Sequence, residues 1–194
     1  MIRIVSAEFI KGATKSADYA QTGKPEFAFF GRSNAGKSSL INMLVNRKSL
    51  VKTGSRPGMT RVINFFMVNN AFCLADLPGY GYAQRSGDEN DAFDTMLADY
   101  ASQRRELKTI FFLMDMRRVP DKVEQDTIEY FERLNVEVVI VGTKADKLSG
   151  NEIRATVQEW SALFNRAPDL IPVTSASKNT GRDTLLKLIG ERLK

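Results

Sequence analysis

The segment GRSNAGKS at residues 31–38 constrains this chain more than any other, because it has the spacing of a phosphate-binding loop. Gly31 and Gly36 allow backbone N–H groups to curl around phosphate oxygens. Lys37 supplies a positive charge for the terminal phosphates, and the hydroxyl of Ser38 is a suitable ligand for Mg²⁺. The segment therefore predicts a site for a phosphorylated ligand and its metal ion.

The sequence on both sides of this segment supports the prediction. An apolar run at residues 27–30 predicts a buried strand, and apolar residues recur at helical spacing from Leu40 to Val45. A phosphate-binding loop follows a strand and precedes a helix, as this order of elements predicts. The N-terminus of the helix also favours an anion. The alternative is a chance glycine turn between unrelated elements. The predicted ligand contacts are Gly31, Arg32, Ser33, Asn34, Ala35, Gly36, Lys37 and Ser38.

Apolar strands and helices alternate along the rest of the chain. The predicted strands cover residues 62–68, 72–76, 110–114, 136–141 and 170–173, and the predicted helices cover residues 38–46, 92–103, 122–134, 152–164 and 181–193. The short connection at Asn69 and Asn70 predicts an antiparallel hairpin. The pattern predicts an α/β fold, a three-layer α/β/α sandwich with a six-stranded, mainly parallel sheet and one antiparallel strand.

Composition excludes several kinds of chemistry. The chain has no histidine, which excludes serine–histidine and cysteine–histidine catalysis and histidine metal sites. Its single cysteine, Cys73, cannot form an intrachain disulfide, so a reducing intracellular compartment is the simplest interpretation. Apolar runs are only as long as strands, so no membrane span is expected, and the N-terminus lacks a signal-peptide core. The net charge of +5 fits either a polyanionic partner such as RNA or a mildly basic surface.

A second motif, DLPG at residues 76–79, ends a predicted strand. Asp76 is placed to hold Mg²⁺, usually through a water molecule, because this ion gives up its hydration shell reluctantly. Gly79 allows its backbone N–H to approach the terminal phosphate closely. Alone, this pattern is more often a turn, but its position at a strand end favours a site. Asp76, Leu77, Pro78 and Gly79 are the predicted contacts.

A third motif, TKAD at residues 143–146, indicates the base that is bound. The carboxylate of Asp146 can accept hydrogen bonds from N1–H and the 2-amino group of guanine, and adenine lacks this pair of donors. The stem of Lys144 can cover the base. Small residues after the strand at 170–173 would let backbone N–H groups reach guanine O6. The predicted contacts are Thr143, Lys144, Ala145, Asp146, Thr174, Ser175 and Ala176; a solvated turn is the alternative for the motif alone.

The loop before the strand at 62–68 carries a threonine that could sense the terminal phosphate. Thr60 can bind Mg²⁺ through its hydroxyl and the γ-phosphate through its N–H, a contact that exists only with a triphosphate. Thr53 is a rival that lies farther from the strand. The predicted contacts in this loop are Gly58, Met59, Thr60, Arg61 and Val62. The predicted metal ligands are Ser38, Thr60 and Asp76, and the predicted catalytic residues are Lys37, Thr60 and Gly79.

With these motifs in order, the chain resembles the translation-factor class of P-loop GTPases, and more narrowly the EngB family of ribosome-biogenesis GTPases. The resemblance rests on residues 31–42, 76–83 and 143–147, and the run PGYGYA at 78–83 is the most specific. It implies a GTP-binding domain at residues 27–194 after an arm at residues 1–26 with a candidate strand near residues 2–5. It also implies binding of GTP, GDP and Mg²⁺ and a cytoplasmic, monomeric protein. Its expected partners are the large ribosomal subunit or its precursor, through rRNA and ribosomal proteins, and the family is linked to cell division and septation.

Two departures from the broader GTPase pattern affect the expected activity. Thr143 stands where the guanine motif usually has Asn, so hydrogen bonds that anchor the phosphate loop could be lost. Tyr80 stands where many GTPases have a glutamine that orients the attacking water, which predicts slow hydrolysis unless a partner or an ion assists. Related GTPases with Asn at position 34 hold K⁺ there. The alternative for Asn34 is a turn-capping role.

The positive charges predict a surface for RNA beside the nucleotide. Arg117 and Arg118 follow the strand at 110–114, whereas Arg104, Arg105 and Lys108 precede it, roughly 15–20 Å away. The residues expected at the nucleotide edge are Arg32, Arg117, Arg118, Lys147, Lys178 and Arg182, joined by Lys52, Arg56 and Arg85 of the switch segments. A solvated rim is the alternative. Two other functions remain open: a P-loop ATPase or small-molecule kinase, and a binding module that hardly hydrolyses GTP.

Overall fold

The computed structural model describes residues 2–51, 62–81 and 87–193. The strands are β1 (Ala7–Ala13), β2 (Glu26–Gly31), β3 (Ile63–Val68), β4 (Phe72–Asp76), β5 (Leu107–Asp115) and β6 (Glu137–Thr143). The α-helices are α1 (Lys37–Leu44), α2 (Gly87–Gln103), α3 (Lys122–Arg133), α4 (Gly150–Leu163) and α5 (Arg182–Arg192). Within these ranges, no helix has the length and apolar character needed to cross a bilayer.

The six strands form one sheet in the order β1-β3-β4-β2-β5-β6. Strand β2 pairs in parallel with β4 and β5, and β5 pairs in parallel with β6. Strand β3 is antiparallel to both of its neighbours, β1 and β4. The predicted six-stranded, mainly parallel sheet with one antiparallel strand is confirmed. Its turn at Asn69 and Asn70, both with φ near +50°, has the left-handed backbone that tight hairpins need.

Helices cover both faces of the sheet, which gives the predicted three layers. On one face, Leu40 of α1 and Leu185 of α5 are buried in the same apolar cluster as Phe29 of β2. On the other face, Phe131 of α3 and Trp160 of α4 are buried with Phe30 of β2. Because consecutive residues of β2 face opposite layers, this strand is apolar almost throughout, as expected for a strand buried on both sides.

The N-terminal segment differs from the prediction. The strand expected near residues 2–5 is wrong, and the strand begins at Ala7. The side chain of Asn69 explains the shift, because its Oδ1 accepts hydrogen bonds from the N–H groups of Val5 and Ser6, at 2.8 and 3.1 Å. These bonds replace the pairing that a neighbouring strand would supply. Strand β1 is an edge strand, which tolerates its mixed apolar and polar sequence.

The strand predicted at residues 170–173 is also wrong. A short 3₁₀ helix occupies Pro168–Leu170, and Val173 forms only an isolated parallel bridge with Gly142. This bridge still carries the chain to the carboxyl end of β6, because the N–H of Thr174 donates to the carbonyl of Gly142 at 2.7 Å. The loop after it therefore reaches the position that a full strand would have given it.

Arg104, Arg105 and Lys108 were expected to form a positive surface cluster at the end of the sheet opposite the nucleotide, but Arg104 is not on the surface. The side chain of Arg104 is buried and forms hydrogen bonds to both carboxylate oxygens of Glu26, at 3.0 and 2.9 Å. The hydroxyl of Tyr100 donates to the same carboxylate at 2.6 Å. Arg104 therefore joins α2 and β5 to the start of β2 and offers no charge to a partner. Removing one partner of such a buried ion pair destabilises the fold, because the other charge is left unpaired.

Candidate functional site

The loop at residues 31–36 connects the end of β2 to the start of α1. Three of its residues have positive φ values: Gly31 (156°), Asn34 (64°) and Gly36 (95°). Glycine adopts such backbone readily, and asparagine does so more easily than most residues. Gly36 is the N-cap of α1, and its carbonyl accepts the N–H of Leu40 at 2.9 Å. The first turn of α1 thus directs its N–H groups into the loop, as phosphate binding requires.

Lys37 and Asp76 meet at the centre of this site. Asp76 is the last residue of β4, and it lies beside Phe29 of β2 in the parallel register. The ammonium of Lys37 forms an ion pair with Asp76 Oδ1, and their side chains are only 14% and 7% exposed. Without a ligand, the pair keeps each charge compensated. A bound phosphate would compete with Asp76 for the ammonium and free the carboxylate for a metal ion.

The residues present fit a magnesium ion that is held mainly by phosphate and water. Asp76 and Ser38 supply one carboxylate and one hydroxyl near the phosphate loop. The described residues contain no group of three or more acidic or cysteine side chains that could together bind a metal ion, so phosphate and water would have to supply the other ligands. Mg²⁺ commonly binds through one or two protein ligands together with substrate phosphates, and it would neutralise the phosphate charge there.

The segment after Asp76 runs along the phosphate loop. The N–H of Leu77 donates to the carbonyl of Phe29 at 3.0 Å, and the N–H of Ser33 donates to the carbonyl of Tyr80 at 2.8 Å. A Cβ atom added to Gly79 would lie 3.1 Å from the nitrogen of Ser33, so a larger residue would require the backbone of the phosphate loop to shift. The structure therefore brings the DLPG motif and the phosphate loop together.

Asp146 is oriented by two neighbours at the other end of the site. Its Oδ1 accepts the hydroxyl of Ser175 at 2.6 Å, and its Oδ2 lies 3.3 Å from the ammonium of Lys147. These groups stabilise the charged form, with the hydrogen bond from Ser175 as the largest contribution, and lower the pKa of Asp146 to about 2. Asp146 is consequently ionised at neutral pH and acts only as a hydrogen-bond acceptor.

Thr143 and Lys144 tie the guanine motif to the phosphate loop. The hydroxyl of Thr143 donates to the carbonyl of Ala35 at 2.6 Å, and the ammonium of Lys144 donates to the carbonyl of Asn34 at 2.6 Å. We predicted that threonine in place of asparagine could lose hydrogen bonds to the phosphate loop. Thr143 still makes one hydrogen bond to this loop, through the carbonyl of Ala35, so the loss is not complete. Lys144 also pairs with Asp115 at 3.0 Å, which the sequence analysis missed. A carboxylate that ends a buried strand was the available signal for Asp115.

Residues 174–176 lie beside these two motifs. The hydroxyl of Thr174 donates to the carbonyl of Gly142 at 2.8 Å, and the carbonyl of Thr174 accepts the N–H of Ala145 at 3.1 Å. Together with the Ser175–Asp146 contact, these bonds fix the loop after β6 and the loop before α5 relative to each other.

A cleft of about 640 Å³ opens between these loops and α1. This volume lies within the usual range for small-molecule and cofactor sites. Gly36, Lys144 and Asp146 border it, as do Asn46 and Asn179, which the sequence analysis did not single out. The cleft therefore joins the phosphate loop to the predicted base-binding residues.

Several predicted residues cannot be placed. Gly58, Met59, Thr60 and Arg61 lie outside the described residues, as do the rival Thr53 and the basic residues Lys52, Arg56 and Arg85. Val62, which directly precedes β3, is described and half-buried.

The side chain of Tyr80 points into the apolar core and toward α3. Its ring lies among Phe30 and Phe112, with centroids 5.4 and 6.2 Å away, in the apolar cluster on the sheet face opposite α1. Its hydroxyl donates to Oε1 of Glu124 at 2.8 Å. Burial, followed by this hydrogen bond, raises the pKa of the phenol, which therefore stays neutral. Sequence analysis missed Glu124, whose only signal was the capping pattern of Asp121 and Glu124 at the start of α3.

Three features together define the class of protein as a P-loop GTPase. They are a phosphate loop at the start of α1, an acidic residue at the end of the neighbouring strand β4, and the TKAD motif at the end of β6, two strands away on the other side. The family model described as a 50S ribosome-binding GTPase matches residues 26–144. A protein of Treponema denticola named "Probable GTP-binding protein EngB" is 53% identical, with 99% of this chain and 100% of that protein covered. The chain belongs to the EngB family of GTP-binding proteins.

Solved structures agree with this assignment. A crystal structure of a protein described as a probable GTP-binding protein engB superposes with a TM-score of 0.71 at 21% identity, covering 87% of this chain and 98% of that one. An Era variant from Aquifex aeolicus, solved with GDP and AlF₄⁻, has a TM-score of 0.65 at 25% identity and covers 87% of this chain and 56% of its own. The first likeness shows the fold alone, and the chain is accordingly a P-loop GTPase by family and by fold.

Proposed function

We propose that this protein binds GTP and GDP with Mg²⁺, hydrolyses GTP slowly, and acts as a nucleotide-dependent switch during assembly of the large ribosomal subunit. The observation that carries the proposal is the convergence of three loops: Lys37 pairs with Asp76, and the loop that holds Asp146 is hydrogen-bonded to the phosphate loop through Thr143. Asp146 also borders the cleft that reaches Gly36 of the phosphate loop. Lys37 and the N–H groups at the start of α1 would bind phosphate, and Ser38 and Asp76 would hold the metal ion. Thr60 and Gly79 would sense the γ-phosphate.

Asp146, Lys144 and residues 174–176 would select guanine in this proposal. The carboxylate of Asp146 is ionised and held by Ser175, so it would accept both donors of the guanine edge. An adenine nucleotide would offer this carboxylate no pair of donors, which disfavours binding. This argument makes a P-loop ATPase or kinase the weaker alternative.

Slow hydrolysis follows from the position of Tyr80. Its phenol is engaged with Glu124 on the opposite side of the sheet and would not orient the attacking water. Catalytic assistance would then come from a partner or from K⁺ beside Asn34. Asn34 is exposed and its positive φ also fits a simple turn, so the ion needs its own test. A binding module that hardly hydrolyses GTP is a second candidate, and the buried phenol of Tyr80 favours it as well. Single-turnover hydrolysis of GTP, measured with and without ribosomal subunits, would distinguish this module from a slow GTPase.

If K⁺ assists catalysis through Asn34, hydrolysis should be about tenfold faster in K⁺ than in Na⁺ at the same ionic strength, since a fixed positive charge stabilises the developing negative charge. Release of phosphate from GTP would be measured in both salts. Asn34→Gly is the suitable variant, because glycine keeps the left-handed backbone and removes only the amide. It should abolish the difference between the salts; equal rates for the unmodified protein would remove K⁺ from the account.

The ribosomal partner is proposed from the matched family description and from the charges that remain free. Four of the six described basic residues expected at the nucleotide edge are engaged. Arg32 pairs with Asp121, Arg117 with Asp115 and Lys147 with Asp146, and Arg182 donates to the carbonyls of Met43 and Leu44. Arg118 and Lys178 are exposed and form no ion pair within the described ranges. These two residues are therefore the proposed phosphate contacts. We also propose that the protein works in the cytoplasm as a monomer and that it supports cell division and septation through this role.

Arg118→Glu should weaken binding to large ribosomal subunits about tenfold and reduce its dependence on salt, because a phosphate contact is replaced by repulsion. Binding would be measured by co-sedimentation with a non-hydrolysable GTP analogue, with GDP, and over a range of KCl concentrations. Arg133→Glu is the matched control, since Arg133 is an exposed arginine at the far end of α3. Equal weakening by both variants, equal binding with GDP and the analogue, or binding insensitive to salt would contradict the proposal.

A further inference from the structure

The hydrogen bonds around Tyr80 form a mostly buried polar cluster next to the phosphate loop. We call Tyr80, Glu124 and Arg32 the Tyr80 anchor. The Glu124 carboxylate is only 5% exposed, and it accepts the hydroxyl of Tyr80 at 2.8 Å and Nη1 of Arg32 at 3.2 Å. Its other oxygen accepts the backbone N–H of Asp121 at 2.9 Å. A buried cluster whose members all have partners favours a single arrangement.

Arg32 connects this cluster to the phosphate loop. Its Nη1 also lies 3.0 Å from Oδ2 of Asp121, and its guanidinium stands 5.8 Å from the centre of the Tyr80 ring. Its backbone forms a parallel bridge with Tyr80. Arg32 and Tyr80 are thus joined twice, through their main chains and through the carboxylate of Glu124.

Tyr80 in turn fixes the neighbouring glycine. The carbonyl of Tyr80 accepts the N–H of Ser33 at 2.8 Å, while its ring is buried against Phe30. With residue 80 held on both sides, Gly79 is confined against the loop backbone, where an added Cβ would lie 3.1 Å from the Ser33 nitrogen and 3.2 Å from the Gly31 carbonyl oxygen. The contacts of Tyr80 thus hold the chain directly after Gly79 against the phosphate loop.

We propose that Tyr80 is a positioning residue: its hydroxyl, held by Glu124, sets the backbone of Gly79 for contact with a γ-phosphate and takes no part in orienting water. The inference rests on the GTP binding proposed above. GDP has no γ-phosphate, so its affinity should not depend on this hydrogen bond. Affinity for a triphosphate should depend on it, because a looser segment must be ordered before the contact forms.

Tyr80→Phe is the direct test, because it removes one oxygen and keeps the ring that fills the apolar cluster. It should weaken binding of a non-hydrolysable GTP analogue about five- to tenfold and leave GDP binding unchanged, as expected for loss of one hydrogen bond worth about 1 kcal/mol. Titration with fluorescent nucleotides, competed by unlabelled ones, would give both affinities. Tyr130→Phe is the matched control on α3, where Tyr130 is 36% exposed.

Variants of Glu124 give an independent readout. The readout is the affinity for the GTP analogue divided by the affinity for GDP. Glu124→Ala should lower this ratio, and Glu124→Gln should lower it less, because glutamine keeps an acceptor oxygen. The effects of Tyr80→Phe and Glu124→Ala on this ratio should be less than additive, because both remove the same hydrogen bond. Thermal unfolding of each variant would show that it is folded at the temperature of the titration.

The outcomes separate this inference from the proposed function. If the unmodified protein binds neither GDP nor the analogue, the proposed function fails and the inference with it. If it binds both and Tyr80→Phe leaves their affinity ratio unchanged or raises it, only the positioning role is overturned. A rise would mean that the anchor holds Gly79 away from the γ-phosphate.

Discussion

Asp146→Asn should convert the protein from a guanine binder into a xanthine binder. In the proposed site the carboxylate of Asp146 would accept two donors from guanine. An amide offers one acceptor and one donor, which match N1–H and the 2-oxo group of xanthine. Loss of one hydrogen bond to a charged group, together with an unfavourable donor–donor contact, should weaken GDP binding about a hundredfold. The Ser175 contact should persist, because the amide oxygen can still accept its hydroxyl.

Competition between fluorescent GDP or XDP and unlabelled nucleotides would measure this change of preference. Asp169→Asn is the matched control, since Asp169 is exposed in the 3₁₀ helix before the same loop and lies outside the cleft. It should leave both affinities unchanged. Full retention of GDP binding by Asp146→Asn would show that guanine is recognised somewhere else.

Lys37→Met should reduce affinity for GTP and GDP about 10²- to 10³-fold. The substitution keeps much of the apolar stem and removes the positive charge, which at close range contributes about 4 kcal/mol to binding an anion near a protein surface. It should also lower the free energy of unfolding without nucleotide, by about 3 kcal/mol, because Asp76 would remain as a mostly buried, unpaired carboxylate.

A double variant separates the two roles of Lys37. Adding Asp76→Asn to Lys37→Met removes the unpaired charge, so stability in urea should largely recover while nucleotide binding stays weak. Lys187→Met, at an exposed lysine of α5, should change neither quantity. Near-normal nucleotide affinity in Lys37→Met would contradict the assignment of the phosphate loop.

The main elements of the site were predictable because they depend on short segments of sequence. The phosphate loop needs glycine at fixed spacing. Asp76 ends an apolar run that forms a buried strand, and Asp146 lies three residues after the end of another. In a parallel sheet the carboxyl ends of such strands share one edge, so the order of the motifs was enough to predict that they converge.

The errors arose where distant residues decide the structure. Residues 2–5 have a strand-like pattern, but Asn69, more than 60 residues away, satisfies their backbone instead. Arg104 was expected in a positive surface patch, but its burial depends on Glu26. The direction of Tyr80, for which the sequence made no prediction, depends on Glu124. No local pattern in the sequence reports these pairs, because each forms only when separate elements pack against the same sheet.

Binding of guanine and adenine nucleotides by the unmodified protein is the most direct test of the whole account. Titration with fluorescent GDP, in Mg²⁺ and in its absence, would be followed by competition with GTP and ATP. We predict that GTP displaces the probe, that ATP at a hundredfold excess does not, and that Mg²⁺ strengthens GTP binding. Equal displacement by ATP, or no binding of the probe, would contradict the central claim that the loops around Lys37, Asp76 and Asp146 form one guanine nucleotide site.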